Sequence, residues 1–141
     1  MGHATITLID DSYNANPDSV NAALDLLATL PAPRLMVLGD MGEVGDQGEL
    51  FHAQAGEHAR ELGIESLFTL GDLSAAAARH FTGARHFGDM DSLIAATTAA
   101  VPRFASVLVK GSRFMKMERV VEAITERAQQ GLDANRSTPC C

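Results

Sequence analysis

Short runs rich in apolar and β-branched residues alternate along this chain with segments in which apolar residues recur every three or four positions. The alternation occurs five times, which predicts an α/β domain with a mostly parallel sheet and helices on both faces. The expected strands are Ala4 to Ile9, Arg34 to Gly39, Ser66 to Gly71, Ala84 to Gly88 and Ser106 to Gly111. The second and fifth are continuously apolar, as befits central strands covered on both faces. The first alternates Thr5 and Thr7 with Ile6 and Leu8, and the fourth is short and polar, which predicts an edge.

Helix signals fill the gaps. Asn16 precedes Pro17 and Asp18, an N-cap followed by proline at the first helical position, and Val20, Leu24 and Leu27 then share one face. A second helix is expected after Asp46, with Glu49 as capping-box partner, Phe51, Ala55, Ala59 and Leu62 inward, and Gly63 as its stop. A third follows Asp72, and a fourth follows Asp89 and ends before Pro102. In the last helix Phe114, Met117, Val121, Ile124 and Ala128 form a packing stripe. The polar stretch after Gly131 is expected to be a flexible tail, so residues 1–130 make the domain and 131–141 the tail.

At 141 residues there is room for one core and not for two. The formal charge of -7 opposes a phosphate backbone, so no nucleic-acid partner is expected. No apolar run approaches the length of a membrane span and no signal pattern opens the chain, so the expected location is cytoplasmic, with no membrane partner. The start, Met1-Gly2-His3 leading almost at once into a strand, is that expected of a domain cut from a longer protein. Cys140 and Cys141 are adjacent and terminal, and the five histidines lack ligand spacing, so no metal site is expected.

In an open parallel sheet, ligands bind beyond the carboxyl ends of the strands. Polar groups gather at three such ends. The first carries DDSYNANPDS, where Asp10, Asp11, Tyr13, Asn14 and Asn16 meet a helix N-terminus; carboxylates suit ribose hydroxyls, amides suit a purine edge and the helix end suits an anion. The competing reading makes Asn16 an N-cap and the aspartates turn residues. The second end carries LGDMGEVGDQGE, with Asp40 and Glu43 among four glycines and His52 shortly beyond; it is either a substrate-facing loop or a solvated turn. Neither GxGxxG after the first strand nor GxxxxGK[ST] anywhere is present. The third end carries VLVKGSRFMKME, in which Lys110, Ser112, Arg113 and the backbone amides between them suit a carboxylate or phosphate. His58, His80 and His86 are expected at the surface or core edge.

Taken together, DDSYNANPDS, VLGDMGEVG, HAQAG and VLVKGSR followed by M-x-M-E-R-V-V resemble the C-terminal domain of the Mur ligase family, in particular its F-type branch, from about Ala4 to about Ile124. The resemblance implies a three-layer Rossmann-like domain whose sixth strand, antiparallel to the others, lies upstream, with the first strand beside the fifth, then the second, third and fourth. It further implies an ATP-dependent ligase that adds D-alanyl-D-alanine to UDP-N-acetylmuramoyl-tripeptide in peptidoglycan synthesis, using ATP and Mg2+ in the full-length enzyme. In that reaction ATP phosphorylates the tripeptide carboxylate, and the dipeptide amine displaces phosphate. The implied partners are those two substrates and a central ATPase domain of the same polypeptide. By motif, Asp10, Asp11, Tyr13, Asn14 and Asn16 would face the nucleotide, while Lys110, Ser112 and Arg113 would face the dipeptide, and Asp40, Glu43 and His52 are expected to bind substrate with them. No tightly bound cofactor and no catalysis are expected of this domain alone. Phe114 departs from the small residue usual after KGSR. Two other readings remain: a receiver-like signalling domain phosphorylated on Asp72, and a stand-alone nucleotide-binding module.

Overall fold

The structure, a computed structural model, describes residues 6–42 and 44–136. Its elements are β1 (Thr7–Asp11), α1 (Pro17–Ala28), β2 (Arg34–Gly39), α2 (Gly48–Glu61), β3 (Ser66–Leu70), α3 (Ser74–Arg79), β4 (Arg85–Phe87), α4 (Met90–Ala100), β5 (Ser106–Lys110) and α5 (Glu118–Arg136). The strands form one sheet in the order β1-β5-β2-β3-β4, with every described pair parallel. Successive strand residues point to opposite faces, so each central strand feeds two cores. Met36, Leu38, Leu67 and Leu108 pack under α1, α2 and α3 through Leu24, Leu27, Ala55 and Ala77. Leu35, Val37, Val107 and Val109 pack on the other face against α4 and α5 through Leu93, Val120 and Ile124. These are the continuously apolar strands, and each buried Leu or Val contributes about 1.5 to 3 kcal/mol relative to exposure.

Local chemistry sets the helix ends. The Asn16 side chain accepts from Ser19 N at 2.9 Å while Ser19 Oγ accepts from Asn16 N at 3.0 Å, a reciprocal capping box. Asp89 caps α4 by accepting from Ser92 N at 2.8 Å, and the bonds from Ser92 hold its carboxyl below the usual carboxylate range. Gly63 adopts φ 79 after α2, allowing its own N–H to reach Arg60 O and that of Ile64 to reach Ala59 O. Nearby, Arg34 ties the amino ends of β2 and β3 together, its Nε 3.0 Å from Glu65 Oε1 and its remaining nitrogens on Ala28 O and Gly63 O.

Several expectations are corrected. β1 is displaced toward Asp11, because its pairing with β5 continues through Asp10↔Val109 and Asp11↔Lys110; Ala4 and Thr5 lie outside the described residues. The capping box for α2 does not form: Gly45–Gln47 is a 3-10 turn, Gln47 makes no side-chain cap bond, and Glu49 pairs with Arg79 at 2.8 Å. Phe114 does not join the α5 stripe, because Arg113–Met115 is a 3-10 turn ended by Lys116 at φ 55, and Ala128 is exposed; Met117, Val120 and Ile124 form the buried stripe. Helix α5 runs through Gly131 to Arg136, past the point where the sequence places the start of the tail.

Candidate functional site

Three strand ends converge at the carboxyl edge. Gly39, ending β2, and Gly111, following β5, approach so closely that a Cβ on Gly111 would lie 3.3 Å from Gly39 Cα and 2.5 Å from Met117 Cγ. That contact brings Ser112 N to 2.9 Å from Asp40 O. One residue past Met41, Gly42 N donates to Ala15 O at 3.1 Å, which joins the β2 loop to the segment after β1. From β5, Lys110 Nζ completes the junction, 2.8 Å from Asp11 Oδ2 and 3.0 Å from Asn14 O. Two of its three donors are thereby engaged.

The ammonium sits at the centre of this junction on a side chain that is 2% exposed, whereas the Asp11 side chain is 31% exposed. An unpaired ammonium at such depth would be costly, so Asp11 neutralises it and the carbonyl of Asn14 solvates it. The groups assigned from sequence to the nucleotide side and to the dipeptide side are therefore one ion pair. Asp11 and Lys110 lie directly opposite each other in the parallel register, on the same face of the sheet.

The remaining expected site residues divide in two. Asp10 is bound to its neighbour, its Oδ1 accepting from both Ser12 N and Ser12 Oγ. Asn16 is the α1 cap. Asp40 is buried, with Oδ1 accepting from Ser74 N at 2.8 Å and Oδ2 from Leu73 N at 3.2 Å, so it caps α3 from another strand instead of offering a free carboxylate. His52 is fully buried: Nδ1 lies 2.6 Å from Gly48 O and Nε2 accepts from Met41 N at 2.9 Å, which requires the Nδ1–H tautomer and leaves the ring no free nitrogen. Glu43 lies outside the described residues.

Tyr13 (73% exposed), Asn14, Ser112 and Arg113 form the other set. The Asn14 side chain accepts from Ala15 N through its Oδ1 at 2.9 Å, while its amide nitrogen makes no hydrogen bond among the described residues. Ser112 is 3% exposed, yet its Oγ has no hydrogen-bond partner among the described residues. Beside it the exposed Arg113 has no ion-pair partner among those residues. A buried hydroxyl left unsatisfied next to an open guanidinium suits an anionic ligand. Gly42 and Phe114 border this patch and are not among the site residues expected from sequence; the glycine-rich loop is the signal for Gly42, and the departure from a small residue after Lys110–Arg113 is the signal for Phe114.

The sheet order overturns the receiver-like reading. Such domains have the order 2-1-3-4-5, with the first strand interior. Here β5 and β2 stand between β1 and the β3 end that carries Asp72, so Asp72 cannot share a site with Asp10 or Asp11. The described residues contain no group of three or more His, Cys, Asp or Glu placed to hold a metal, and no helix among them is long and apolar enough to cross a membrane.

Residues 1–113 match the model of the family described as Mur ligase, glutamate ligase domain. The UDP-N-acetylmuramoyl-tripeptide–D-alanyl-D-alanine ligase of Escherichia coli K12 is 40% identical over 121 residues, covering 84% of this chain and 27% of that protein. The ligase of the same name from Bacillus subtilis 168 is 35% identical over 86% of this chain and 28% of its own length. A crystal structure of MurF from Acinetobacter baumannii superposes with a TM-score of 0.80 at 31% identity, over 89% of this chain and 29% of that one. The chain thus spans little more than a quarter of the length of these relatives. Matched over four-fifths of its length by the family model, and by full-length relatives at up to 40% identity, the chain belongs to the Mur ligase family, whose glutamate ligase domain it carries.

Proposed function

We propose that this chain is the C-terminal domain of a cytoplasmic, ATP-dependent ligase that joins D-alanyl-D-alanine to UDP-N-acetylmuramoyl-tripeptide, and that its strand-end face closes over the nucleotide and the incoming dipeptide held against a central ATPase domain. The observation that carries this reading is the buried Ser112 hydroxyl, without a hydrogen-bond partner among the described residues, beside the exposed Arg113 on a junction held by the Ser112 N–Asp40 O and Gly42 N–Ala15 O hydrogen bonds. The dipeptide amine must be uncharged to attack, so its distant carboxylate is the natural handle for a guanidinium, a hydroxyl and neighbouring amides. Lys110 supports that site from beneath through Asp11. On the other side, the open Tyr13 ring and the Asn14 amide nitrogen fit the base and ribose of ATP, while Asp10, Asn16, Asp40 and His52 position the loops. The ATP supplies the activating phosphoryl group, and any Mg2+ is assigned to the central domain.

The test uses the full-length enzyme. Arg113→Ala should lower kcat/KM for D-alanyl-D-alanine by roughly 10- to 150-fold, the equivalent of a lost hydrogen bond to a charged group at about 1.5 to 3 kcal/mol, with KM for ATP unchanged. A dipeptide amidated at its C-terminus should be a poor substrate for wild type, and the variant should discriminate less between amide and acid. Equal use of both forms by wild type would show that the carboxylate is not what this patch reads.

A further inference from the structure

Of the large apolar side chains that remain exposed, two are aromatic, Tyr13 and Phe114, and both stand on the joined strand-end loops. Among the described residues, Phe114 has no packing duty that explains it. The residue is 67% exposed, and Lys116 at φ 55 turns the chain so that full burial resumes only at Met117, just before α5. What the ring does approach is the anion patch. A Cβ on Gly42 would lie 3.4 Å from Ser112 Cβ and 3.9 Å from Phe114 Cε1, so both side chains converge on one bare stretch of backbone. A buried hydroxyl without a partner, a guanidinium and an apolar ring edge together suit a ligand with a carboxylate and a short apolar group close to it.

We infer that Phe114 is a specificity-determining residue that bounds the space for the side chain on the C-terminal residue of the acceptor dipeptide. The inference rests on the proposed function, which anchors the dipeptide carboxylate on Ser112 and Arg113. The side chain of the terminal residue branches from the carbon that bears this carboxylate. A ring one residue beyond Arg113 therefore meets that side chain and not the reacting amine at the far end. Gly42 leaves the floor open on the other side, since any Cβ there would enter the same space.

The test compares kcat/KM for D-alanyl-D-alanine and D-alanyl-D-leucine in the full-length wild type, Phe114→Ala and Phe114→Trp, with melting temperatures confirming that the exposed substitutions leave the fold intact. In Phe114→Ala the preference for alanine over leucine should fall about tenfold or more, the scale on which a pocket discriminates by a few methylenes. In Phe114→Trp it should rise. An unchanged preference overturns the inference, and so does an equal loss for both dipeptides, which would place the ring against the neighbouring domain. Failure of the underlying function shows itself differently: Arg113→Ala at wild-type kcat/KM for both dipeptides removes the anchor, whatever the Phe114 variants do.

Discussion

Removing either member of the Lys110–Asp11 pair should destabilise this domain, but not equally, because the two charges are buried to different depths. In Asp11→Ala the ammonium, 2% exposed, loses its counter-ion and keeps only Asn14 O at 3.0 Å. Breaking a buried pair in this direction costs about 3 to 5 kcal/mol. In Lys110→Met an apolar chain of similar length fills the space, and the orphaned carboxylate is already 31% exposed, so water can solvate it. What remains is one carbonyl deprived of a donor, about 1 to 2 kcal/mol. The double variant should lie within about 1 kcal/mol of Lys110→Met, since no buried charge is left to strand. Urea denaturation of the domain measures all three, and for a chain of this size each kcal/mol moves the melting temperature by very roughly 3 to 5 °C. Should Lys110→Met prove as damaging as Asp11→Ala, burial depth is not what governs the pair and the argument from solvation is wrong.

Gly56→Ala tests the contact between α2 and α3: the added Cβ would sit 2.2 Å from Ala77 O, a backbone atom unable to swing away, so a loss of about 3 kcal/mol or more is expected in the same denaturation experiment. Acid sensitivity should report on Glu65, whose carboxyl the Arg34 guanidinium holds below its ordinary value of 4.5. A folded-state value below the unfolded one means that the stabilisation is complete above about pH 4.5 and is lost as pH falls through the folded value, so Glu65→Gln should lose less stability than wild type between about pH 5 and pH 3. The difference should be small, because the Glu65 side chain is more than a third exposed.

How legible this domain is in its sequence depends on whether a residue's duty is local. The central position of β2 and β5 can be read because burial on both faces makes a strand continuously apolar, as in Leu35 to Leu38 and Val107 to Val109. Asn16 can be read because its cap partner, Ser19, is three residues away. Asp40 cannot, since it caps a helix beginning at Ser74 and needs Gly71 at φ 113 to make room, where a Cβ would lie 2.4 Å from Asp40 Oδ1. For the adjacent Asp10 and Asp11 the obstacle is parity. Alternate strand residues face opposite ways, so only one of the two can reach Lys110, and only the register with β5 decides that it is Asp11. A histidine beside a glycine loop has the chemistry of a substrate-facing group, yet both ring nitrogens of His52 are taken by Met41 and Gly48, a contact that its sequence neighbours do not signal.

The same register determines where the site's useful charge lies. Had Lys110 been unpaired, its buried ammonium would have been the strongest anion attractor on a chain of net charge -7. Paired with Asp11, it acts over any distance as a neutral unit, and its energy goes into fixing the β1 and β5 ends against each other. On the proposed function, attraction for an anionic ligand then falls to Arg113, at the exposed rim, where a guanidinium keeps its charge at little desolvation cost and can still bind two oxygens at once. Such a division places rigidity underneath and charge on top. On the proposed function, it is the arrangement needed by a face that holds its geometry while open and makes its strongest contacts only when a ligand and a second surface exclude water from it.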